Sequence, residues 1–173
     1  MQELRLIKPN VELQQQYIEM LEEWKKKDGE NTPWFINFDI SNFSEMVNKL
    51  EGFSKGIGVE DGFVENSTLW LIDNTKRIIG AVNIRHRLNN YFQNFGGQIG
   101  YGIRPDERRK GYAKEILRLA LEVLKEMGYH KTLLCCYKDN IASVKTIVGN
   151  GGVLDSEGLK DGIVFQRYWI DIK

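Results

Sequence analysis

The sequence predicts a single α/β domain in which helices are inserted between the strands of a mixed sheet. Three observations predict it. The chain has 173 residues, 42% of them apolar, which is enough material for one well-buried core. Its apolar residues alternate in some stretches and recur at helical spacing in others. The resulting order is strand, helix, helix, three strands, helix, strand, helix, two strands, and helices placed between strands belong to a mixed sheet and not to a sandwich.

Each element has a local reason. Glu3 to Ile7 is short and apolar-rich, a strand; Pro9-Asn10 then opens a helix with Leu13, Tyr17, Met20, Leu21 and Trp24 on one face, ending near Asp28-Gly29. Residues 30–64 scatter aromatics, Trp34, Phe35, Phe38, Phe43, Phe53 and Phe63, among polar residues around one helix from Ser44 to Glu51. This region is expected to be the variable, substrate-side part, where the Trp34 to Phe43 stretch either walls an apolar pocket or is core. Thr68 to Asp73 and Ile78 to Arg85 read as a hairpin, and Gln98 to Ile103 as the next strand. A helix runs from about Gly111 to Met127 with Ala113, Ile116, Leu117, Ala120, Leu121 and Leu124 as its stripe and Gly128 as its stop. Thr132 to Tyr137 is a strand, and Ile141 to Val148 a short helix capped by Asp139 or Asn140 and closed by Gly149-Asn150-Gly151-Gly152. Val153 to Asp155 and Ile163 to Ile170 complete the sheet as a hairpin.

Lys plus Arg number 24, as do Asp plus Glu, so overall charge gives no reason to expect nucleic acid or a membrane surface as partner. Any anion must be held locally. The residues Met1 to Arg5 lack the order of a signal peptide, and no apolar run approaches the roughly 18 residues that span a bilayer, so a cytoplasmic protein is expected. Cys135 and Cys136 are neighbours in a strand and point to opposite faces, which argues against a disulfide framework and against a metal site.

The segment Ile103-Arg104-Pro105-Asp106-Glu107-Arg108-Arg109-Lys110-Gly111-Tyr112-Ala113 carries the chemistry. A strand ends at a proline, a polar turn follows, and a helix starts at a glycine, leaving backbone N–H groups free at the helix N-terminus as an anion site. Gly111 lets a phosphate approach the backbone, Ala113 keeps the next turn small, and Arg108, Arg109 and Lys110 add charge for a pyrophosphate. The plainer alternative is a basic loop before an ordinary amphipathic helix.

Arg108-x-x-Gly111-x-Ala113, preceded by Ile103-x-Pro105, resembles the cofactor motif of the GNAT N-acetyltransferases, Q/R-x-x-G-x-G/A after a V-x-P strand end. Asn140-x-x-Ser143 is similar to that family's second motif, and the element order resembles its fold over nearly the whole chain. The run Gly100 to Pro105, with Asp139-Asn140 and Asn150-Gly151-Gly152, resembles more narrowly a bacterial branch of predicted acetyltransferases. The resemblance implies a mostly antiparallel central sheet flanked by helices, with a splay between two central strands. It implies acetyl-CoA as co-substrate, its pyrophosphate on the amides of Arg109, Lys110, Gly111, Tyr112, Ala113 and Lys114, and its pantetheine arm paired with the main chain of Ile103. An N–H around Tyr101 to Ile103 would polarise the thioester carbonyl. Asn140 and Ser143 would touch the pantetheine or the phosphates, although Asn140 also suits a helix cap.

The family's usual acid and base are absent: the Tyr seven residues after the motif Asn is Ile147 here, and Gly96 to Ile103 holds no carboxylate. His86 is the expected substitute base, with a structural histidine as the alternative. Tyr137 is the expected acid, with Tyr101 as its rival, and either can instead be a packing aromatic. Arg85 and Arg87, sharing a face of their strand, can bind a substrate carboxylate or be solvated. The function expected is acetyl transfer to a primary amine on a small molecule or peptide, with a homodimer left open; the competing class is a non-catalytic acyl-CoA-binding or sensor module. The turn lacks the Gly-Lys-Ser/Thr ending of a P-loop, so phosphotransfer is not expected.

Overall fold

Seven strands form two antiparallel sheets in the computed structural model, which describes residues 3–173. Met1 and Gln2, which open the stretch read for a signal peptide, lie outside the described residues. The first sheet takes β1 (Arg5–Ile7), β2 (Asn66–Ile72), β3 (Ile78–Arg85) and β4 (Ile99–Ile103) in chain order. The second takes β5 (Lys131–Tyr137), β6 (Val153–Lys160) and β7 (Ile163–Asp171) in the order β5-β7-β6. Four helices flank them: α1 (Gln14–Asp28), α2 (Phe43–Ser54), α3 (Tyr112–Glu126) and α4 (Ile141–Val148). No helix among the described residues is long and apolar enough to cross a membrane.

Two apolar layers sandwich the first sheet, which is why all eight residues of β3 are buried. On one face Tyr17, Met20 and Trp24 of α1 and Phe43, Met46 and Leu50 of α2 pack on Trp70, Ile78 and Ala81. On the other, Ile116, Leu117, Ala120 and Leu124 of α3 meet Ile79, Val82, Ile103, Leu134 and Ile170. The helical stripe of α3 therefore bridges both sheets. Arg104, just past β4 and buried, ion-pairs with Glu23 and reaches Ile78 O at 3.4 Å, pinning α1 to the strand end.

β4 and β5 face one another without a ladder. They are joined only where they begin: Gln98 N–H donates to Leu133 O at 2.7 Å, and Thr132 Oγ1 to Gln98 Oε1 at 2.8 Å. Gly97 makes this junction. Its φ is +64°, and a Cβ there would lie 2.8 Å from Leu133 O and 2.9 Å from Cys135 N. Beyond it the strands part, forming the splay.

Two features were not legible in the sequence. β6 continues to Lys160 instead of stopping near Asp155, because Ser156, Glu157 and Lys160 pair with β7 at a solvated edge where polar residues are tolerated. Residues Phe92–Gly96 coil into one π turn, started by Asn89 Oδ1 accepting Phe92 N–H and closed by Gly97 N–H on Phe92 O at 2.7 Å.

Candidate active site

Two clefts meet along the splay. The first, about 810 Å³, runs from the turn between β4 and α3 across to α4. The second, about 320 Å³, lies between β4 and β5. Tyr101, Asn140 and Ser143 line both, so the clefts are continuous there.

The turn before α3 is held on three sides. Glu107 is buried and accepts from Arg77 Nε at 3.0 Å and Lys110 Nζ at 2.8 Å, tying the turn to the β2–β3 hairpin. Arg108 donates through Nε to Ile103 O at 3.1 Å, ion-pairs with Asp28 at the end of α1, and lies over the Trp24 ring at 5.7 Å. That guanidinium holds the Asp28 carboxyl below the usual carboxylate range. Arg108 and Lys110 thus pair their charge with Asp28 and Glu107. The cations that line the first cleft without an ion pair among the described residues are Arg109, Lys114 and Lys145.

Arg109 and Gly111 both take positive φ, +64° and +85°. The first helical bond is Lys114 N–H to Gly111 O at 3.1 Å, so the amides of Arg109 to Ala113 lie ahead of the helix ladder. Alternating positive-φ residues at a helix start curve successive N–H groups toward one point, an anion-binding concavity. A Cβ at Gly111 would meet nothing within 4 Å, so the concavity is open.

Along β4 the main chain alternates. Arg85 N–H bonds Gln98 O and Arg104 N–H bonds Ile79 O, so the even-numbered residues face β3. The N–H and C=O groups of Tyr101 and Ile103 therefore face the splay. The Tyr101 hydroxyl bonds Ser143 Oγ at 3.0 Å where the clefts meet, and burial raises its pKa, which keeps the phenol protonated at neutral pH. Asn140 Oδ1 accepts Ser143 N–H at 3.1 Å and so caps α4 while lining both clefts. Ile147 is buried against the backbone of Gly152 and offers no proton.

The remaining sequence candidates separate. Tyr137, at the end of β5, is 43% exposed and lines only the rim of the second cleft. His86 is not brought to either cleft: its Nε2 bonds Ser67 Oγ at 2.8 Å, its carbonyl accepts from Tyr129, and burial lowers its pKa. Its ring points to β2, away from the site where a base for the amine is expected. Arg85 and Arg87 also part company. Arg85 is buried in the second cleft, whereas Arg87 is exposed and paired with Glu65 at 2.8 Å. Phe43 is core beside Tyr17 and Trp70, while Trp34 stacks edge-on against Phe63 at 5.1 Å. Asp28, Trp24, Lys145 and Lys160 reach the site from remote elements and carry no local signal.

Residues 14–153 match the family model described as an acetyltransferase (GNAT) domain. No curated protein matches the chain. Among solved structures, the Microcin C7 self-immunity acetyltransferase MccE in complex with acetyl-CoA and AMP is similar at TM-score 0.71 and 16% identity, over 98% of this chain and 93% of that one. The ribosomal L7/L12 α-N-protein acetyltransferase RimL in complex with coenzyme A is similar at 0.71 and 14%, over 98% and 94%. A mutant spermidine/spermine N-acetyltransferase SpeG from Vibrio cholerae is similar at 0.60 and 18%, over 99% and 95%. At these identities the likeness concerns the fold.

Proposed function

Since the chain belongs to the GNAT acetyltransferase family, we propose that it transfers an acetyl group from acetyl-CoA to a primary amine of a small molecule or peptide. The observation that carries this reading is the continuity of the two clefts at Tyr101, Asn140 and Ser143, one ending in a turn suited to an anion and the other lined by no carboxylate among the described residues. The first cleft fits the co-substrate: the turn at Arg109 to Ala113 suits a pyrophosphate, and Arg109, Lys114 and Lys145 suit its phosphates. Ile103, with its main chain facing the splay, suits an extended amide-bearing arm.

Acetyl-CoA supplies an activated acetyl group: the amine nitrogen bonds the carbonyl carbon and gives up a proton to water, the C–S bond breaks, and the thiolate takes a proton. The chain's own part is positional and electrostatic. The Tyr101 N–H, unpaired by any ladder on the splay side, is placed to stabilise charge on the carbonyl oxygen. The Tyr101 hydroxyl, protonated and bonded to Ser143, is placed to supply the proton, and in this it is better sited than Tyr137. Among the described residues no carboxylate lines the second cleft, whereas Arg85 and Lys160 do. Nearby positive charge favours the neutral form of a bound amine, so the nucleophile is selected as its free base without a protein base.

Melting curves with acetyl-CoA, coenzyme A and ATP test the reading, coupled to release of free thiol when amines are added. Acetyl-CoA is expected to stabilise the protein and thiol to accumulate with amine. Stabilisation by ATP instead would overturn the assignment, and acetyl-CoA binding without thiol release from any amine would leave a binding module. Tyr101→Phe is expected to lower turnover about tenfold or more with acetyl-CoA affinity near the parent's, while Tyr137→Phe retains activity; the reverse outcome moves the acid to Tyr137. His86→Ala is expected to keep turnover within about twofold at neutral pH, and a pH profile that changes shape in this variant would restore His86 as a base.

A further inference from the structure

Acetyl transfer leaves the acceptor open, and the second cleft narrows it. Arg85 ends β3 inside that cleft and is 5% exposed. Its guanidinium lies 4.9 Å from the Phe92 ring and 5.8 Å from the Trp34 ring. Its protein partner is distant: Nη1 reaches Gly96 O at 3.4 Å, and Nε is buried with no hydrogen bond. No carboxylate among the described residues ion-pairs with it. Burial draws its pKa down to about 10, so it is still a cation at neutral pH.

A buried charge with no counter-ion is costly, so an anion that pairs with it relieves that cost. Space has been kept for this one. A Cβ at Gly100 would stand 3.2 Å from both Nη atoms, so any larger residue there would press on the guanidinium. At the mouth, Lys160 Nζ donates to the Tyr91 hydroxyl at 2.8 Å and sits over the Tyr91 and Phe95 rings at 4.9 and 5.6 Å. Among the described residues two cations and no Asp or Glu line the cleft.

We propose that the acceptor is a small amine bearing its own carboxylate, an amino-acid-like molecule, with Arg85 binding the carboxylate while the amine reaches the splay beside Tyr101. The proposal rests on the acetyl-transfer reading above. A guanidinium fork matches a planar carboxylate with two parallel N–H···O bonds, which a lysine cannot do. The volume, about 320 Å³, lies at the small end of ligand sites. Gly100, against which the guanidinium rests, is the neighbour of Tyr101 on β4, and adjacent strand residues are about 3.3 Å apart, so amine and carboxylate are separated by only a few bonds. The same two cations disfavour polyamines.

The test compares pools of α- and β-amino acids with the same compounds as carboxamides, and with spermidine, by melting curve in the presence of coenzyme A and by thiol release from acetyl-CoA. Carboxylate-bearing amines are expected to exceed their carboxamides by at least about tenfold in affinity and in kcat/KM. In Arg85→Gln that difference is expected to vanish, with acetyl-CoA, whose cleft does not contain Arg85, serving as the folding control. Parent protein that responds equally to acids and carboxamides, responds best to spermidine, or responds to no carboxylate-bearing amine overturns the proposal; this comparison needs no variant. Absence of any acetyl-CoA effect on the parent would instead overturn the acetyl-transfer reading itself.

Discussion

Gly111→Glu is expected to remove acetyl-CoA binding, by at least about a hundredfold in Kd, in a protein that still folds. A Cβ at this position meets nothing within 4 Å, so the side chain does not disturb packing, and Gly111 lines the first cleft where the concavity opens. There the new carboxylate meets the phosphates as a like charge and blocks the amides that would bond them. Loss of two charge-assisted hydrogen bonds, about 1.5–3 kcal/mol each, exceeds the roughly 2.8 kcal/mol of a hundredfold change. The positive φ of +85° adds a folding cost of about 1–2 kcal/mol that any L-residue would bear. Gly111→Ala separates the two effects, since it carries the backbone cost without the charge. The measurement is acetyl-CoA titration by calorimetry alongside a melting curve. Glu and Ala variants that bind alike, and as well as the parent, would place the pyrophosphate elsewhere.

Gly97→Ala is expected to be the most destabilising small substitution near the site, at about 2–5 kcal/mol. Two costs combine. The residue sits at φ +64°, worth about 1–2 kcal/mol for a residue with a Cβ, and that Cβ would collide with the backbone of Leu133 to Cys135 at 2.8–3.0 Å, an overpacking cost of about 1–3 kcal/mol. Backbone cannot rotate aside as a side chain can, so relief requires moving β5. For a chain of this length the loss corresponds to a fall in melting temperature of about 10 °C. A Gly97→Ala protein melting within about 2 °C of the parent would show that the junction is not held by this contact.

Much of the fold was readable because the long elements carry strong periodic signals. The stripe Ile116, Leu117, Ala120 and Leu124 and the hairpin of β2 and β3 need no tertiary information to be seen. The turn before α3 was readable for a related reason: Pro105, Gly111 and Ala113 act through the backbone, and backbone geometry is written locally. What escaped the sequence depends on distant partners. Nothing near Arg108 announces that Asp28, 80 residues away, takes its charge, and nothing near His86 announces Ser67. Arg85 and Arg87 look equivalent as text, yet Arg85 closes β3 as a buried cation while Arg87, two residues on and past the strand end, is a solvated ion pair. The extension of β6 escaped because polar residues at a sheet edge satisfy the ladder without an apolar pattern.

The splay divides the chain as well as the sheet. Every strand of the first sheet is complete by Ile103, and every strand of the second begins at or after Lys131, so no strand is shared between them. The two facing edges, one on β4 and one on β5, expose unpaired main-chain groups of the kind that on a protein's surface template aggregation with other chains. Here they are turned toward each other, with residues of α3 and α4 in the walls of the clefts between them. Hydrogen-bonding capacity that most sheets exhaust during folding is thereby left along a cleft for a visiting molecule.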